Sequence, residues 1–227
     1  MDIYGLALSD YYGGNENNIL WLYNSYAEPE EMPVDIFFRS EDDMPELEHH
    51  ALSACRGKIL DVGAGAGSHS IALQKRGLDV TAIDISKIAV DIMRKRGVKN
   101  ALEQDIFALE EKYDTLFFMM NGIGLTGTLA GFNAFLDQAE RLLNPSGQLL
   151  FDSSDISYLY EDLPKPENNY FGEVSYCYEY KQQKGKWFNW LYIDQQMLRS
   201  IATTKGWNCE IIFDDGEDQF LARLTKS

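Results

Sequence analysis

The feature that most constrains the fold is a glycine-rich turn that directly follows a short apolar segment. Residues 58–62 carry the apolar segment, and Gly63, Gly65 and Gly67 then stand at alternate positions. Glycine has no Cβ, so a turn of this kind lets the backbone come close to a bound ligand. A strand that runs through such a turn into a helix is how α/β sheets build nucleotide sites. The sequence therefore predicts a nucleotide-binding α/β domain.

After this turn, strand-like and helix-like segments alternate, which implies a doubly wound, mostly parallel sheet. The pattern predicts strands at 58–62, 78–83, 99–104, 115–120 and 148–152, and helices at 67–76, 86–96 and 128–143. The last two predicted strands, 208–214 and 218–225, are separated by only three residues. They must pair antiparallel, because parallel neighbours need a crossover of about a dozen residues. The expected fold is a Rossmann-like α/β fold whose seven-stranded sheet ends in an antiparallel C-terminal hairpin.

We expect the chain to form one domain in which further segments flank this sheet. The predicted parts are a helical cap with helices near 2–12, 17–26 and 45–57, a cofactor-binding core at 58–153, a loop at 154–172, an inserted β-hairpin lid within 154–194, and a C-terminal helix with antiparallel strands at 195–227. The hairpin is expected to turn at Lys184-Gly185, because glycine and its neighbours are typical of hairpin turns.

Composition and charge restrict the possible partners. The formal net charge is −16 over 227 residues. Nucleic-acid binding needs a basic surface, so no nucleic-acid partner is expected. No apolar run approaches the roughly 20 residues of a membrane span, and no secretory signal is visible, so we expect a cytoplasmic protein without membrane contact. The three cysteines match neither a disulfide framework nor a zinc spacing, and no metal site is expected.

Three arrangements of residues compete to define the nucleotide. The first is the glycine turn together with Asp84, which stands 21 residues after Gly63 at the end of the next strand, where ribose hydroxyls lie. The second is the Gly-x-Gly-x-x-Gly sequence at residues 122–127, which is typical of dinucleotide sites. Its acid would be Asp152, 30 residues after Gly122, whereas the dinucleotide pattern places the acid about 20 residues on. A loop that lines the same cleft is the preferred interpretation of residues 122–127.

The third arrangement is Tyr180-x-x-x-Lys184, the spacing of the catalytic pair of short-chain dehydrogenases. That pair needs a helix to bring both side chains to one face. Here the two residues span a predicted hairpin turn, so this interpretation is rejected.

The motifs around the glycine turn resemble those of the class I S-adenosylmethionine-dependent methyltransferases. Residues 59–67 are similar to the first motif of that family, Asp/Glu-x-Gly-x-Gly-x-Gly, and residues 80–86 resemble its second, an acid at a strand end followed by a helix N-cap. Residues 103–106 resemble the third motif, in which an acidic side chain reaches the adenine amino group. Residues 113–121 fit the fourth strand, and residues 142–149 fit the approach to the fifth. The final antiparallel hairpin also agrees with the family.

The resemblance implies S-adenosyl-L-methionine as the cofactor and in-line methyl transfer to a small-molecule acceptor. The implied cofactor-binding residues are Asp61, Gly63, Ala64, Gly65, Gly67, His69, Asp84, Ile85, Gln104, Asp105, Ile106, Asn121 and Gly122. Arg39 is a candidate to pair with the methionine carboxylate in a bidentate fork, and a plain surface arginine is the alternative. The segment from Asn121 lacks the Asp/Asn-Pro-Pro-Tyr/Phe sequence of members that methylate amino groups on nucleic acids.

The acceptor site is predicted less specifically, and no catalytic residue is named. The candidate acceptor contacts are Tyr11, Tyr12, Asp152, Ser153 and Tyr178. Tyr176, Tyr178 and Tyr180 alternate along one strand and share a face, which would pack against the sheet or a second copy in a homodimer, or else wall an acceptor pocket. Two other functions stay open: a non-catalytic S-adenosylmethionine-binding or partner-binding protein, and a nucleotide-dependent oxidoreductase.

Overall fold

A computed structural model describes residues 1–15, 17–161 and 164–226. The described residues form the helices α1 (Ile3–Tyr12), α2 (Glu46–Ala54), α3 (Ser68–Lys75), α4 (Lys87–Lys95), α5 (Leu129–Leu142) and α6 (Gln195–Thr204). The strands are β1 (Leu20–Asn24), β2 (Glu30–Met32), β3 (Lys58–Val62), β4 (Asp79–Asp84), β5 (Ala101–Glu103), β6 (Tyr113–Phe118), β7 (Leu143–Ser154), β8 (Glu173–Tyr180), β9 (Gln183–Lys184), β10 (Phe188–Leu191), β11 (Trp207–Asp214) and β12 (Gln219–Lys226).

The central sheet has seven strands in the order β11-β12-β7-β6-β3-β4-β5. Strands β3 to β7 pair in parallel, whereas β12 is antiparallel to both β7 and β11. Helices cover both faces, so the middle strands read as continuous apolar runs: Leu60, Leu116 and Phe117 have no exposed surface. The predicted Rossmann-like fold with an antiparallel C-terminal hairpin is confirmed.

A second, antiparallel sheet lies beside the first, in the order β10-β8-β1-β2 with β9 on the end of β8. The helix predicted near residues 17–26 is wrong, because residues 20–24 form strand β1. In β1, Leu20, Leu22 and Asn24 are buried while Trp21 is exposed, which is the two-residue period of a strand. Strand β1 pairs with β8, about 150 residues later in the chain, so its conformation depends on a distant partner.

The predicted hairpin within residues 173–193 is present, but its turn is not at Lys184-Gly185. The turn falls at Lys181 and Gln182, whose φ values are 50° and 62°. Two successive left-handed residues match the type I′ turn that joins tightly paired antiparallel strands. Within the predicted 154–172 loop, residues 156–160 form a 3₁₀ helix, and residues 162–163 lie outside the described residues.

None of the helices formed by the described residues has the length and apolar character to cross a membrane.

Candidate cofactor and acceptor site

The glycine turn joins β3 to α3 at the carboxyl edge of the central sheet. Gly63 and Ala64 both donate their backbone N–H groups to the Ile83 carbonyl, at 2.9 and 3.1 Å, which fixes the turn against the end of β4. Gly67 has a φ of 83° and precedes α3. A Cβ at Gly67 would lie 2.8 Å from Val98 Cγ2, so a side chain there meets both backbone strain and a clash.

Asp84 holds the other side of this turn. Its Oδ2 accepts the Gly65 N–H at 3.0 Å, and its Oδ1 accepts the Ser86 N–H at 2.8 Å. Burial raises the pKa of Asp84 to about 6, and these two amides oppose the rise. Ser86, as predicted, is the N-cap of α4, with its Oγ accepting the Ala89 N–H. Asp84 is therefore neither a cap nor a solvated loop acid but a buried carboxylate aimed at the glycine turn.

The residues around Asp84 fit an adenosyl group. A Cβ at Gly63 would meet nothing within 4 Å, so there is open space beside the turn. Ile85 follows Asp84 and is 79% exposed, which places an apolar platform next to a buried carboxylate. A carboxylate has about four acceptor positions, and the two amides occupy two of them. The site thus offers acceptors for sugar hydroxyls and an apolar surface for a base.

The segment after β5 reaches the same edge of the sheet. Gln104 donates its backbone N–H to the Asp84 carbonyl at 3.0 Å, which draws residues 104–106 toward the acid. Asp105 caps the following 3₁₀ helix by accepting the Phe107 N–H, and this residue is exposed. Ile106 is 3% exposed and belongs to the hydrophobic core, so it supports the loop from below.

The segment after β6 brings Asn121 and Gly122 to the same edge, next to Asp152 from β7. Asn121 has a φ of 53° and donates its backbone N–H to Asp152 Oδ2 at 2.8 Å. Its Nδ2 donates to the Leu191 carbonyl at 3.2 Å. Two buried atoms of this pair, Asn121 Oδ1 and Asp152 Oδ1, have no hydrogen-bond partner. Burial raises the pKa of Asp152 to about 7, although the Asn121 N–H opposes the rise.

The second glycine-rich loop is filled by the second sheet. A Cβ at Gly124 would lie 2.2 Å from Trp190 Nε1, and one at Gly127 would lie 3.3 Å from the Asn189 Cβ. Because these glycines have no side chains, β10 packs onto the loop. Trp190 then covers the backbone to which a pyrophosphate would have to bind. The same sheet separates Tyr180 and Lys184 onto two antiparallel strands, so they do not form the helical dehydrogenase pair.

A buried ionic network lies behind the glycine turn. His69 Nε2 is 2.7 Å from Glu48 Oε2, and the other Glu48 oxygen pairs with Arg39. Burial opposes ionisation of Glu48, but the hydrogen bond and charge of His69 and the charge of Arg39 outweigh it and lower the Glu48 pKa. Arg39 is 17% exposed along its side chain, so the alternative of a plain surface arginine is wrong.

Glu48 is a site residue that was not predicted from the sequence, although a signal was present. On α2 the buried positions include Leu47, Ala51 and Leu52, and a stripe with that spacing places Glu48 on the same face of the helix. The other acid behind the turn, Asp61, is fully enclosed and accepts a hydrogen bond from Ser70 Oγ at 2.5 Å. Burial raises the Asp61 pKa, while His69 and Ser70 oppose the rise.

Helix α1 covers the glycine turn. A Cβ at Gly65 would lie 2.8 Å from the Tyr4 hydroxyl, so this tyrosine sits directly over the turn. The Tyr4 ring packs edge-on against Phe37 at 5.2 Å and stacks on Tyr178 at 5.7 Å. Tyr178 was predicted from the sequence but Tyr4 was not, although Tyr4 lies on the same helix as Tyr11, about two turns before it.

Both ends of α1 are attached to the rest of the molecule. At its start, Ser86 Oγ donates to Asp2 Oδ2. Near its end, Asp10 accepts a hydrogen bond from the Tyr180 hydroxyl at 2.9 Å and pairs with Lys181. Tyr11 and Tyr12, predicted acceptor contacts, pack their rings against Phe38 with centroid distances of 4.8 and 6.3 Å.

The inner face of the second sheet carries a cluster of tyrosine hydroxyls. Tyr176 lies between Tyr26 and Tyr192, with oxygen–oxygen distances of 3.1 Å to each. Burial raises the pKa of Tyr26 to about 12 and that of Tyr192. The charge of Asp152 adds to the higher pKa of Tyr192. Ser153, predicted to contact the acceptor, instead accepts the Ile193 N–H at 3.0 Å and is 1% exposed.

Comparison with known proteins gives matches that cover the site. A family model described as a methyltransferase domain matches residues 56–195. The crystal structure of an S-adenosylmethionine-dependent methyltransferase from Bacteroides fragilis in complex with S-adenosyl-L-homocysteine is 39% identical, with a TM-score of 0.91. That likeness covers 100% of this chain and 95% of the other chain.

Matches to curated proteins are more distant and partial. The putative methyltransferase YqeM of Bacillus subtilis is 28% identical over 104 residues, which cover 43% of this chain and 42% of that protein. The ubiquinone biosynthesis O-methyltransferase of Idiomarina loihiensis is 23% identical over 112 residues, which cover 47% of this chain and 46% of that protein. The match thus spans about half the length of these curated relatives. Together with the family model and the Bacteroides structure, the geometry of the glycine turn shows that the chain belongs to the class I S-adenosylmethionine-dependent methyltransferases.

Proposed function

We propose that this protein transfers a methyl group from S-adenosyl-L-methionine to a small-molecule acceptor. The observation that carries the proposal is the Asp84 carboxylate, buried and fixed by the Gly65 and Ser86 amides beside the open space at Gly63. A carboxylate in this position accepts hydrogen bonds from a ribose diol, and charged hydrogen bonds of this kind contribute about 1.5–3 kcal/mol each.

Named residues take distinct parts in holding the cofactor. Asp84 accepts from the ribose hydroxyls, Ile85 packs against the base, and Asp105 accepts from the base amino group. Arg39 has an Nε without a partner and is the candidate for the methionine carboxylate. The remaining residues shape the groove: Asp61, Gly63, Ala64, Gly65, Gly67, His69, Gln104, Ile106, Asn121 and Gly122.

When bound, S-adenosyl-L-methionine supplies an electrophilic methyl carbon on a sulfonium leaving group. The protein must then align the acceptor with that carbon and keep water out. Helix α1 covers the turn through Tyr4, and the second sheet covers the neighbouring edge through Tyr178. Asp152 stands on the acceptor side, beside Asn121. These elements border the position proposed for the acceptor.

A small acceptor, rather than a nucleic acid, agrees with two properties of the molecule. The net charge of −16 disfavours a phosphate backbone. The second sheet and α1 also close over the edge of the central sheet, which leaves little room for a large polymer. We further propose that residues 1–57 and 154–194 act as the cap and lid of one catalytic domain. A cytoplasmic location and a possible homodimer stay predictions.

Calorimetric titration tests cofactor identity directly. The wild-type protein is titrated with S-adenosyl-L-methionine, S-adenosyl-L-homocysteine, NAD and NADP. We expect binding of the first two compounds only, and weaker binding by Asp84→Ala. Asp79→Ala is the matched control, since it removes an exposed aspartate from the start of the same strand. Binding of NAD or NADP alone would support the oxidoreductase alternative and overturn the proposal.

Mass spectrometry separates an enzyme from a non-catalytic binding protein. The protein is incubated with S-adenosyl-L-methionine and pools of small metabolites, and products heavier by one methyl group are sought. Cofactor binding with no methylated product in any pool would favour the non-catalytic alternative.

A further inference from the structure

We propose that the acceptor presents an amino group, and that Asn121 Oδ1 and Asp152 Oδ1 together bind that group, with Asp152 taking up the proton that the nitrogen loses. This inference rests on the proposed methyl transfer and names the chemical class of its acceptor. It assigns a nitrogen-methylating activity to the cleft between the ends of β6 and β7.

Asn121 and Asp152 each have one buried oxygen that accepts no hydrogen bond. Asn121 is 8% exposed, and its Oδ1 has no partner, whereas its Nδ2 is engaged by the Leu191 carbonyl. Asp152 Oδ1 is likewise buried without a partner, while Oδ2 accepts the Asn121 N–H. Two buried acceptors without partners therefore belong to two residues that one hydrogen bond joins directly. Leaving a buried polar atom unpaired costs about 1–3 kcal/mol, so a ligand that satisfies both is strongly favoured.

The two oxygen atoms determine how many hydrogens a ligand must donate to them. Satisfying two adjacent oxygen acceptors from one ligand group takes two hydrogens on one atom. An amine or ammonium carries two or three, whereas a hydroxyl carries one and an ionised carboxylate carries none. An anionic acceptor would also be repelled by the Asp152 carboxylate. The pair thus selects an amino group over an alcohol or an acid.

Negative charge surrounds the end of the strand that carries Asp152. A cavity of about 450 Å³ is lined by Asp155, Ser157, Tyr158, Glu217 and Asp218. These lining residues include three carboxylates and no basic side chain. The cavity lies beyond the carboxyl end of β7, where Ser154 pairs with Gln219 of β12. A cavity lined by carboxylates attracts a cation toward this end of the sheet.

The basic side chains behind the turn are bound to Glu48 and not to Asp152. His69 Nε2 lies 2.7 Å from Glu48 Oε2, and Arg39 pairs with the other Glu48 oxygen. The charge of Glu48 raises the Asp152 pKa, and His69 lowers it. Because Glu48 binds both basic side chains, neither of them neutralises Asp152.

Methyl transfer to an amine needs only these groups and the methyl donor. An ammonium loses one proton to Asp152 Oδ1, which frees an electron pair on nitrogen. That pair becomes the new nitrogen–carbon bond as the methyl–sulfur bond breaks and its electrons leave with sulfur. A pKa of about 7 suits Asp152 to this task, since it is ionised in part at neutral pH and basic enough to accept a proton.

The experiment compares acceptor chemistries on shared carbon skeletons. Triplets of an amine, an alcohol and a carboxylate, such as 2-phenylethylamine, 2-phenylethanol and phenylacetate, are tested for binding to protein saturated with S-adenosyl-L-homocysteine. The panel spans aliphatic, aromatic, amino-sugar and nucleoside skeletons. The variants are Asp152→Asn and Asn121→Gly, the latter chosen because glycine tolerates the left-handed backbone at this position. Asp137→Asn is the control, since it removes one exposed aspartate from α5.

We expect each amine to bind at least about tenfold more tightly than the matching alcohol, both in the wild type and in Asp137→Asn. The preference should disappear in both cleft variants, with the affinity for S-adenosyl-L-homocysteine unchanged in Asp152→Asn. The preferred amines should also gain one methyl group when S-adenosyl-L-methionine is supplied. Thermal unfolding and circular dichroism establish that each variant is folded.

Several results would overturn the inference. One is a preference for alcohols or carboxylates, another is an amine preference that survives Asp152→Asn, and a third is no binding by any amine. A large loss of S-adenosyl-L-homocysteine affinity in Asp152→Asn would mean that the pair binds the amino group of the cofactor instead. A wild-type protein that does not bind S-adenosyl-L-homocysteine would refute the proposed function itself, which is a distinguishable outcome.

Discussion

The affinity for S-adenosyl-L-homocysteine should weaken as the pH falls below 7, because Asp84 must be ionised to accept hydrogen bonds from the ribose. Burial raises the pKa of Asp84 to about 6 in the ligand-free protein. At pH 5 the ionised fraction is then about 9%, and at pH 8 it is about 99%. If the ligand binds the ionised form, the dissociation constant rises about tenfold over this interval, which corresponds to about 1.4 kcal/mol.

The isosteric variant Asp84→Asn separates this effect from other titrations. Asparagine keeps the shape but removes the charge, so its affinity at pH 8 should be about tenfold to a hundredfold lower than that of the wild type. Its affinity should also vary little between pH 5 and pH 8. Any pH dependence that survives in the variant belongs to another group, such as Asp61, or to the ligand.

Calorimetric titration at four pH values, with wild type and variant in parallel, measures both effects. Heats recorded in two buffers of different ionisation enthalpy also report the proton released when the ligand binds near pH 6. A wild-type affinity that is flat from pH 5 to pH 8, together with an unaffected Asp84→Asn, would refute the role given to this carboxylate.

The remaining predictions concern packing, electrostatics and the cap. Gly124→Ala should lower the free energy of unfolding by about 1–3 kcal/mol, because its Cβ would lie 2.2 Å from Trp190 Nε1. Gly122→Ala, whose Cβ would make an ordinary 3.5 Å contact, should be tolerated. Equal losses of stability in urea unfolding would contradict this prediction. Burial raises the pKa of Asp152 to about 7. Between about pH 4 and pH 7, its carboxyl group is therefore protonated in the folded state and ionised in the unfolded state. Its contribution to stability should therefore fall as the pH rises through that window, by at most about 4 kcal/mol, and Asp152→Asn should remove the fall in denaturant titrations at pH 5 and 8. Asp10→Ala should accelerate amide hydrogen exchange in α1 alone, because it removes the attachment near the end of that helix; unchanged exchange would show that the attachment is dispensable.

The sequence alone determined the central sheet and the glycine turn with Asp84 beside it. The glycine turn and the position of Asp84 could be predicted from nearby residues, because turn conformation, strand alternation and capping depend on residues within one β-α-β unit. Ser86 illustrates the point, since its capping bond to Ala89 spans three residues. The antiparallel end of the sheet followed from connection length alone, because a three-residue link between β11 and β12 permits no parallel pairing.

Only the tertiary structure decided what packs over that edge of the sheet. Strand β1 was mistaken for a helix because its pairing partner β8 lies about 150 residues away. Tyr4 over Gly65, and the pairing of Asn121 with Asp152, likewise join segments that no local pattern connects. Burial and hydrogen-bond satisfaction are properties of the assembled neighbourhood, so an unpaired carboxylate oxygen is visible only after the chain has folded around it.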